Sequence, residues 1–268
     1  MLKDITLGQY FPGKTVVHRL DPRTKLLMTI LYIVALFLAK GWIAYGVVFA
    51  FLVMSIALSK IKPKAILRGM KPVVIIVVFT AVLNLFYTSG THVIVKFWGI
   101  TITWEGVETA LFMVSRILML ISGTFLLTYT TSPIALTDGL ESLLGPLKKI
   151  HMPVHELSMM MCIALRFIPT LIEETDKIMS AQKARGADFE TGSIVQRAKA
   201  LVPILVPLFI SAFRRADELA TAMECRCYQG GNGRTKMKSL HYGVRDMVTL
   251  LLGAVLVAGM ILLRSFGI

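Results

Sequence analysis

The chain has 268 residues, 55% of them hydrophobic, with a formal net charge of +13 and a mean hydropathy of +0.70. That apolar excess exceeds what an ordinary soluble domain carries. It lies in several stretches near the roughly 20 residues that a helix needs to cross the hydrocarbon layer. The positive charge comes without Lys/Arg runs interleaved with aromatics, which excludes a nucleic-acid partner and marks basic loops at an anionic membrane face.

The sequence predicts an all-α integral membrane protein with about five transmembrane helices and a cytoplasmic region of about three amphipathic helices. Met1-Leu2-Lys3-Asp4 lacks the apolar run of a signal peptide, so the first span is expected to insert as itself. The spans are expected near residues 26–39, 42–58, 72–87, 107–129 and 247–263. The first is short, and Lys25 and Lys40 can snorkel from its two ends. Residues 1–25 carry Lys3, Lys14, Arg19, Arg23 and Lys25, and residues 60–71 carry five cations and no acid. The turns between hold only Lys40 and Lys96 as cations. Positive-inside bias then puts the N-terminus in the cytoplasm and, by alternation, the C-terminus outside. Trp98 and Trp104 fit an outer aromatic belt.

Three parts follow: residues 1–130 with four spans, a cytoplasmic segment 131–246, and the last span in 247–268. In the middle part, Ser132 can cap a short helix that Pro133 opens. Two longer helices are expected at 154–184 and 203–225, each beginning apolar and ending polar. Met159, Met160 and Met161 lie near the start of the first, where adaptable packing or ordinary core packing would use them. Gly230-Gly231-Asn232-Gly233 makes a return to the last span.

The two long helices resemble each other at an offset of 41 residues. Phe167 matches Leu208, Asp176 matches Asp217, Ala181 matches Ala222 and Arg185 matches Arg226. Both finish with an arginine between small residues, Ala184-Arg185-Gly186 and Cys225-Arg226-Cys227. A narrow tip can enter a groove, and the guanidinium offers a planar fork of donors. One such arginine is explained as well by the helix dipole. A matched pair favours docking to two copies or homologues of one partner.

No catalytic residue and no metal site is expected. GxxxxGK[ST] and GxSxG are absent. His155-Glu156-Leu157-Ser158-Met159 lacks the second histidine of a zinc helix, and His151 and His155 read as surface residues. Cys162, Cys225 and Cys227 form neither a disulfide framework nor a CxxC pair, which fits a reduced, cytoplasm-facing setting. Arg116 is the one cation placed deep in a span, and Glu108, Asn84 or a second subunit is the expected partner. A structural pair inside the bundle is the plainer account of it.

The chain resembles the transmembrane T component of energy-coupling factor (ECF) transporters over essentially its whole length. His18-Arg19-Leu20-Asp21-Pro22-Arg23-Thr24-Lys25-Leu26 is similar to the family's characteristic start, in which Asp21 caps the first helix and Pro22 opens it, while Arg23 and Lys25 hold the cytoplasmic face. Ala184-Arg185-Gly186 is similar to the first of two Ala-Arg-Gly motifs, and Cys225-Arg226-Cys227 departs from the second at both small positions. The resemblance implies a bacterial cell-membrane subunit whose partners are two ATP-binding-cassette ATPases, the same or homologous, and a small membrane capture (S) subunit for a vitamin or metal ion. It further implies that both tips dock to the ATPases and that ATP and Mg stay on partner subunits, with no cofactor here. The competing reading is a secondary transporter or channel that binds its own cargo, which would want inverted repeats or polar clusters at mid-membrane.

Overall fold

A computed structural model describes residues 10–88, 92–97, 100–189, 191, 193–230 and 240–265. Lys3, Trp98 and 231–233, used above, lie outside the described residues. The chain is an all-α membrane protein. Nine α-helices are described: α1 (Pro22–Leu38), α2 (Gly41–Ser59), α3 (Pro63–Met70), α4 (Val74–Tyr87), α5 (Trp104–Thr130), α6 (Pro133–Leu143), α7 (Val154–Ala184), α8 (Ile194–Cys225) and α9 (Val244–Ser265). Two short antiparallel strands, β1 (Val93–Phe97) and β2 (Ile100–Thr103), lie between α4 and α5, with Phe97 opposite Ile100 and Val93 opposite Thr103.

Among the described residues, six helical stretches are long and apolar enough to cross a membrane: α2, Pro63–Tyr87, α5, α7, Val195–Cys225 within α8, and α9. This set differs from the five expected spans. At 17 residues α1 measures about 25 Å, short of the ~30 Å hydrocarbon layer. The apolar start of α7 and the apolar run 200–213 of α8 bring those helices into the set despite their polar ends. Residues 60–71, expected as a loop, are helical from Pro63, where proline suits the first turn. There Ile66 is buried in a small core with Ile61 and Tyr129. The third amphipathic helix starts nine residues before the expected 203, at Ile194. Ser193 accepts from the Gln196 N–H and Gln196 returns a hydrogen bond to the Ser193 N–H, a capping box. Pro203 and Pro207 fall inside the helix instead of opening it.

The chain divides into two compact units, residues 8–139 with 240–268 and residues 140–239, so the boundary cuts α6. In the first unit α1 packs along α9 and α4 along α5. The core gathers Tyr32, Leu36, Val48, Leu52, Met119 and Met260. Tyr32 Oη is satisfied by donating to the Met119 carbonyl at 3.0 Å. Outside this seam the helices show apolar side chains such as Ile75, Phe79 and Leu251, as lipid-facing helices do, since no water has to be excluded there. In the second unit α7 and α8 pack on each other.

Candidate functional site

The two arginine tips share one backbone solution. Arg185 caps α7, the Gly186 N–H bonds the Lys183 carbonyl and the Ala187 N–H bonds the Gln182 carbonyl, both at 3.0 Å. Arg226 caps α8, the Cys227 N–H bonds the Glu224 carbonyl at 2.8 Å and the Tyr228 N–H bonds the Met223 carbonyl at 3.1 Å. Both are Schellman endings, which need a left-handed residue just after the cap. Gly186 supplies it at φ +86° and Cys227 at φ +56°. The small residue after each arginine is therefore tied first to backbone conformation, a reason the sequence reading missed. Cysteine at the second tip keeps the geometry and carries the Cβ cost of αL. All six residues, Ala184, Arg185, Gly186, Cys225, Arg226 and Cys227, are exposed. Neither arginine side chain has a hydrogen-bond or ion-pair partner among the described residues.

Back along the same helices, Arg215 donates from Nη2 to Glu174 Oε2 at 2.9 Å. Glu174 and Arg215 are themselves 41 residues apart, so this clasp joins equivalent positions of the quasi-repeat. Each tip arginine follows its clasp residue by eleven positions, an arm of about 16 Å at helical rise. The offset alone would have found the pair, because it sets a carboxylate opposite a guanidinium.

The segment around Asp21 builds a polar knot in the other unit. Asp21 caps α1 by accepting from the Arg23 N–H at 2.9 Å, as expected. Its own N–H donates to Asp246 Oδ1 at 2.9 Å, and Asp246 Oδ2 accepts from the Gly243 N–H at 2.9 Å. Pro22 packs on Gly139, where an added Cβ would come within 2.9 Å of Pro22 Cβ and 3.2 Å of its backbone. Arg23 lies 3.9 Å from Asp21 and over the Tyr242 ring. Lys25 corrects the snorkelling expectation. It is 7% exposed and donates from Nζ to the His18 carbonyl at 3.1 Å and the Thr130 carbonyl at 2.9 Å. Two carbonyls at the end of α5 and before α1 hold the ammonium, and Asp246 and Asp21 compensate its charge. Asp246, 5% exposed, is a structural partner that sequence reasoning missed.

Arg116 pairs with neither Glu108 nor Asn84. Its Nε donates to Tyr45 Oη at 2.8 Å, and the guanidinium lies 5.7 Å from the Phe37 ring and 5.9 Å from the Tyr45 ring. Glu108 accepts from Trp42 Nε1 at 3.3 Å, and Asn84 donates to the Thr80 carbonyl. Tyr45 and Phe37 flank the α1–α2 turn, so Arg116 sits level with a helix end although it is mid-way along α5. His155 is also repositioned. It is half-buried, with Nδ1 3.1 Å from Glu141 Oε1, while Ser158 donates to Glu141 Oε2 at 3.3 Å. His151 is exposed, at φ +60°.

These elements define a multi-pass helical membrane protein with two long helices ending in matched arginine caps. The profile of the cobalt transport protein (CbiQ) family matches residues 13–237. A Clostridium kluyveri protein named energy-coupling factor transporter transmembrane protein EcfT is 56% identical over 265 residues, covering 98% of both chains. Namesakes from Thermosediminibacter oceani and Lactococcus lactis subsp. cremoris are 55% and 46% identical, over 98% and 91% of this chain and 99% and 92% of theirs. The chain belongs to this family of ECF-transporter transmembrane components.

Proposed function

We propose that the chain is the coupling subunit of an ATP-driven uptake transporter of the bacterial cell membrane, with its N-terminus in the cytoplasm. In this reading the Arg185 and Arg226 tips dock into two ATP-binding-cassette subunits, which bind ATP and Mg. A separate small membrane subunit captures the cargo, a vitamin or a metal ion; the family's description names cobalt. The observation that carries the reading is the pair of exposed, identically capped arginines whose side chains have no partner among the described residues.

The chain's own part is mechanical. A Schellman cap fixes the last turn, so each guanidinium projects from a rigid end rather than a frayed one. Each arm of about 16 Å leads back to the Glu174–Arg215 clasp, where the two helices meet. A change in ATPase spacing would displace the tips together, and the clasp would carry that displacement into the apolar runs of α7 and α8. A charge-assisted hydrogen bond contributes about 1.5–3 kcal/mol, so losing both tips weakens docking by about 3–6 kcal/mol. The test is an Arg185→Ala, Arg226→Ala double variant purified from its native membrane, with partners identified by mass spectrometry. Loss of both ATPases with the chain still folded is the expected result. Normal assembly and transport would sink the proposal.

A further inference from the structure

A cavity of about 290 Å³ opens beside the α1–α2 turn, lined by Lys40, Tyr45, Thr109, Phe112, Met113 and Arg116 among others. Its lining holds two cations and no carboxylate. An unpaired guanidinium among apolar side chains is costly. Of Arg116, only Nε is committed, to Tyr45 Oη. Its terminal amino groups have no acceptor among the described residues, and neither is sealed from the surroundings. Glu108 does not supply the missing charge. It lies two turns away on the same face of α5, is engaged by Trp42, and is separated by the packed rings of Trp42 and Phe112, 4.6 Å apart.

The neighbours of this cavity indicate what fills it. Phe37, Trp42 and Ile43 are more than half exposed beside it, at the end of the bundle where α1 turns into α2. Such a site presents fixed positive charge at helix-end depth, next to lipid-facing apolar surface. We propose that Lys40 and Arg116 bind the phosphate of an anionic phospholipid headgroup in this cavity, with the acyl chains along the exposed apolar side chains. Tyr45 and Phe37 hold the guanidinium in place through the hydroxyl and the ring faces, which leaves its outer edge to form a bidentate pair with phosphate oxygens. The bound lipid would also cover the end of the short α1, at its turn into α2. This proposal is independent of how the tips dock.

The experiment uses the full chain in vesicles of phosphatidylglycerol mixed with phosphatidylcholine, followed by detergent extraction and native mass spectrometry of the retained lipid. The wild-type chain is expected to keep phosphatidylglycerol in preference to phosphatidylcholine. A Lys40→Gln, Arg116→Gln variant is expected to retain at least about fivefold less, since each lost charge-assisted contact is worth about tenfold or less at a half-exposed site. Equal retention of the two lipids, unchanged retention by the double variant, or binding of inorganic phosphate with no lipid retained would each overturn the assignment. The last would mean a site for free phosphate, and a wild-type chain retaining neither would point to a carboxylate from a partner subunit. If the double variant fails to fold, Lys40→Gln alone, at an exposed turn, is read instead. About a threefold loss is then expected, and unchanged retention counts against the proposal.

Discussion

Gly186 and Cys227 occupy the same left-handed position at the ends of α7 and α8, so exchanging their chemistry should move the two tips in opposite directions. At Gly186, φ is +86° and an added Cβ would meet nothing within 4 Å, so Gly186→Ala acts through the backbone alone. An L-residue in αL costs about 1–2 kcal/mol. Alanine recovers about 0.5–1 kcal/mol because the unfolded chain is less free. The net expectation is a tip weakened by about 0.5–1 kcal/mol. At Cys227, φ +56°, Cys227→Gly reverses the sign and strengthens the tip by a similar amount. Since 1.4 kcal/mol is tenfold, the opening equilibrium of each last turn should change about two- to fivefold. Hydrogen exchange reads this directly at the Gly186 and Ala187 amides, bonded to Lys183 and Gln182, and at the Cys227 and Tyr228 amides, bonded to Glu224 and Met223. Protection should fall at the first pair in Gly186→Ala and rise at the second in Cys227→Gly. Unchanged or increased protection in Gly186→Ala would refute the claim that the small residue is there for its backbone.

Two further outcomes follow from the same units. Charge reversal of the clasp, Glu174→Arg or Arg215→Glu singly, should lower transport-linked coupling and the thermal stability of the α7–α8 pair, and the double exchange should restore both. Equal loss in the single and double exchanges would show that the pair is not coupled. His18 lies outside the membrane spans, with Nδ1 2.6 Å from Thr15 Oγ1 and Nε2 3.1 Å from the Phe11 carbonyl. The carbonyl can only accept, so Nε2 carries the proton and Nδ1 accepts from the threonine hydroxyl. Burial lowers its pKa, the hydrogen bond to Phe11 opposes that shift, and Lys25 adds to it. The folded pKa is thus below the unfolded ~6.5, so the stability it contributes is present above that pH and lost as pH falls through the folded value. Amide protection around residues 15–20 should therefore drop on acidification below about 6.5, and His18→Gln should flatten the dependence.

Much of the fold was legible because it is written in local terms. The apolar runs and their spacing set the all-α membrane class, and α7 occupies the predicted 154–184. Asp21 and Pro22 mark the start of α1 because a cap and a first-turn proline act within a few residues. The arginine tips were visible for the same reason: a cap motif and its 41-residue echo are both properties of the chain order. The misread boundaries have local causes too. A capping box at Ser193 outweighed Pro203 as the start of α8, and Pro63 turned a basic loop into α3.

Partners were a different matter. Whether Lys25 snorkels or turns inward depends on carbonyls at His18 and Thr130, the second 105 residues away. The acceptor for the Asp21 amide is 225 residues along the chain, and the hydroxyl that holds Arg116 is 71 residues before it. A charge in an apolar helix announces that it needs a partner, which follows from the cost of burying it. Which group answers is set by the packing of α1 on α9 and of α2 on α5, and no local pattern encodes that packing. The sequence by itself determined the helices, the caps and the paired arginines. Only the tertiary structure decided which buried charges meet, because those contacts join residues that the chain order keeps far apart.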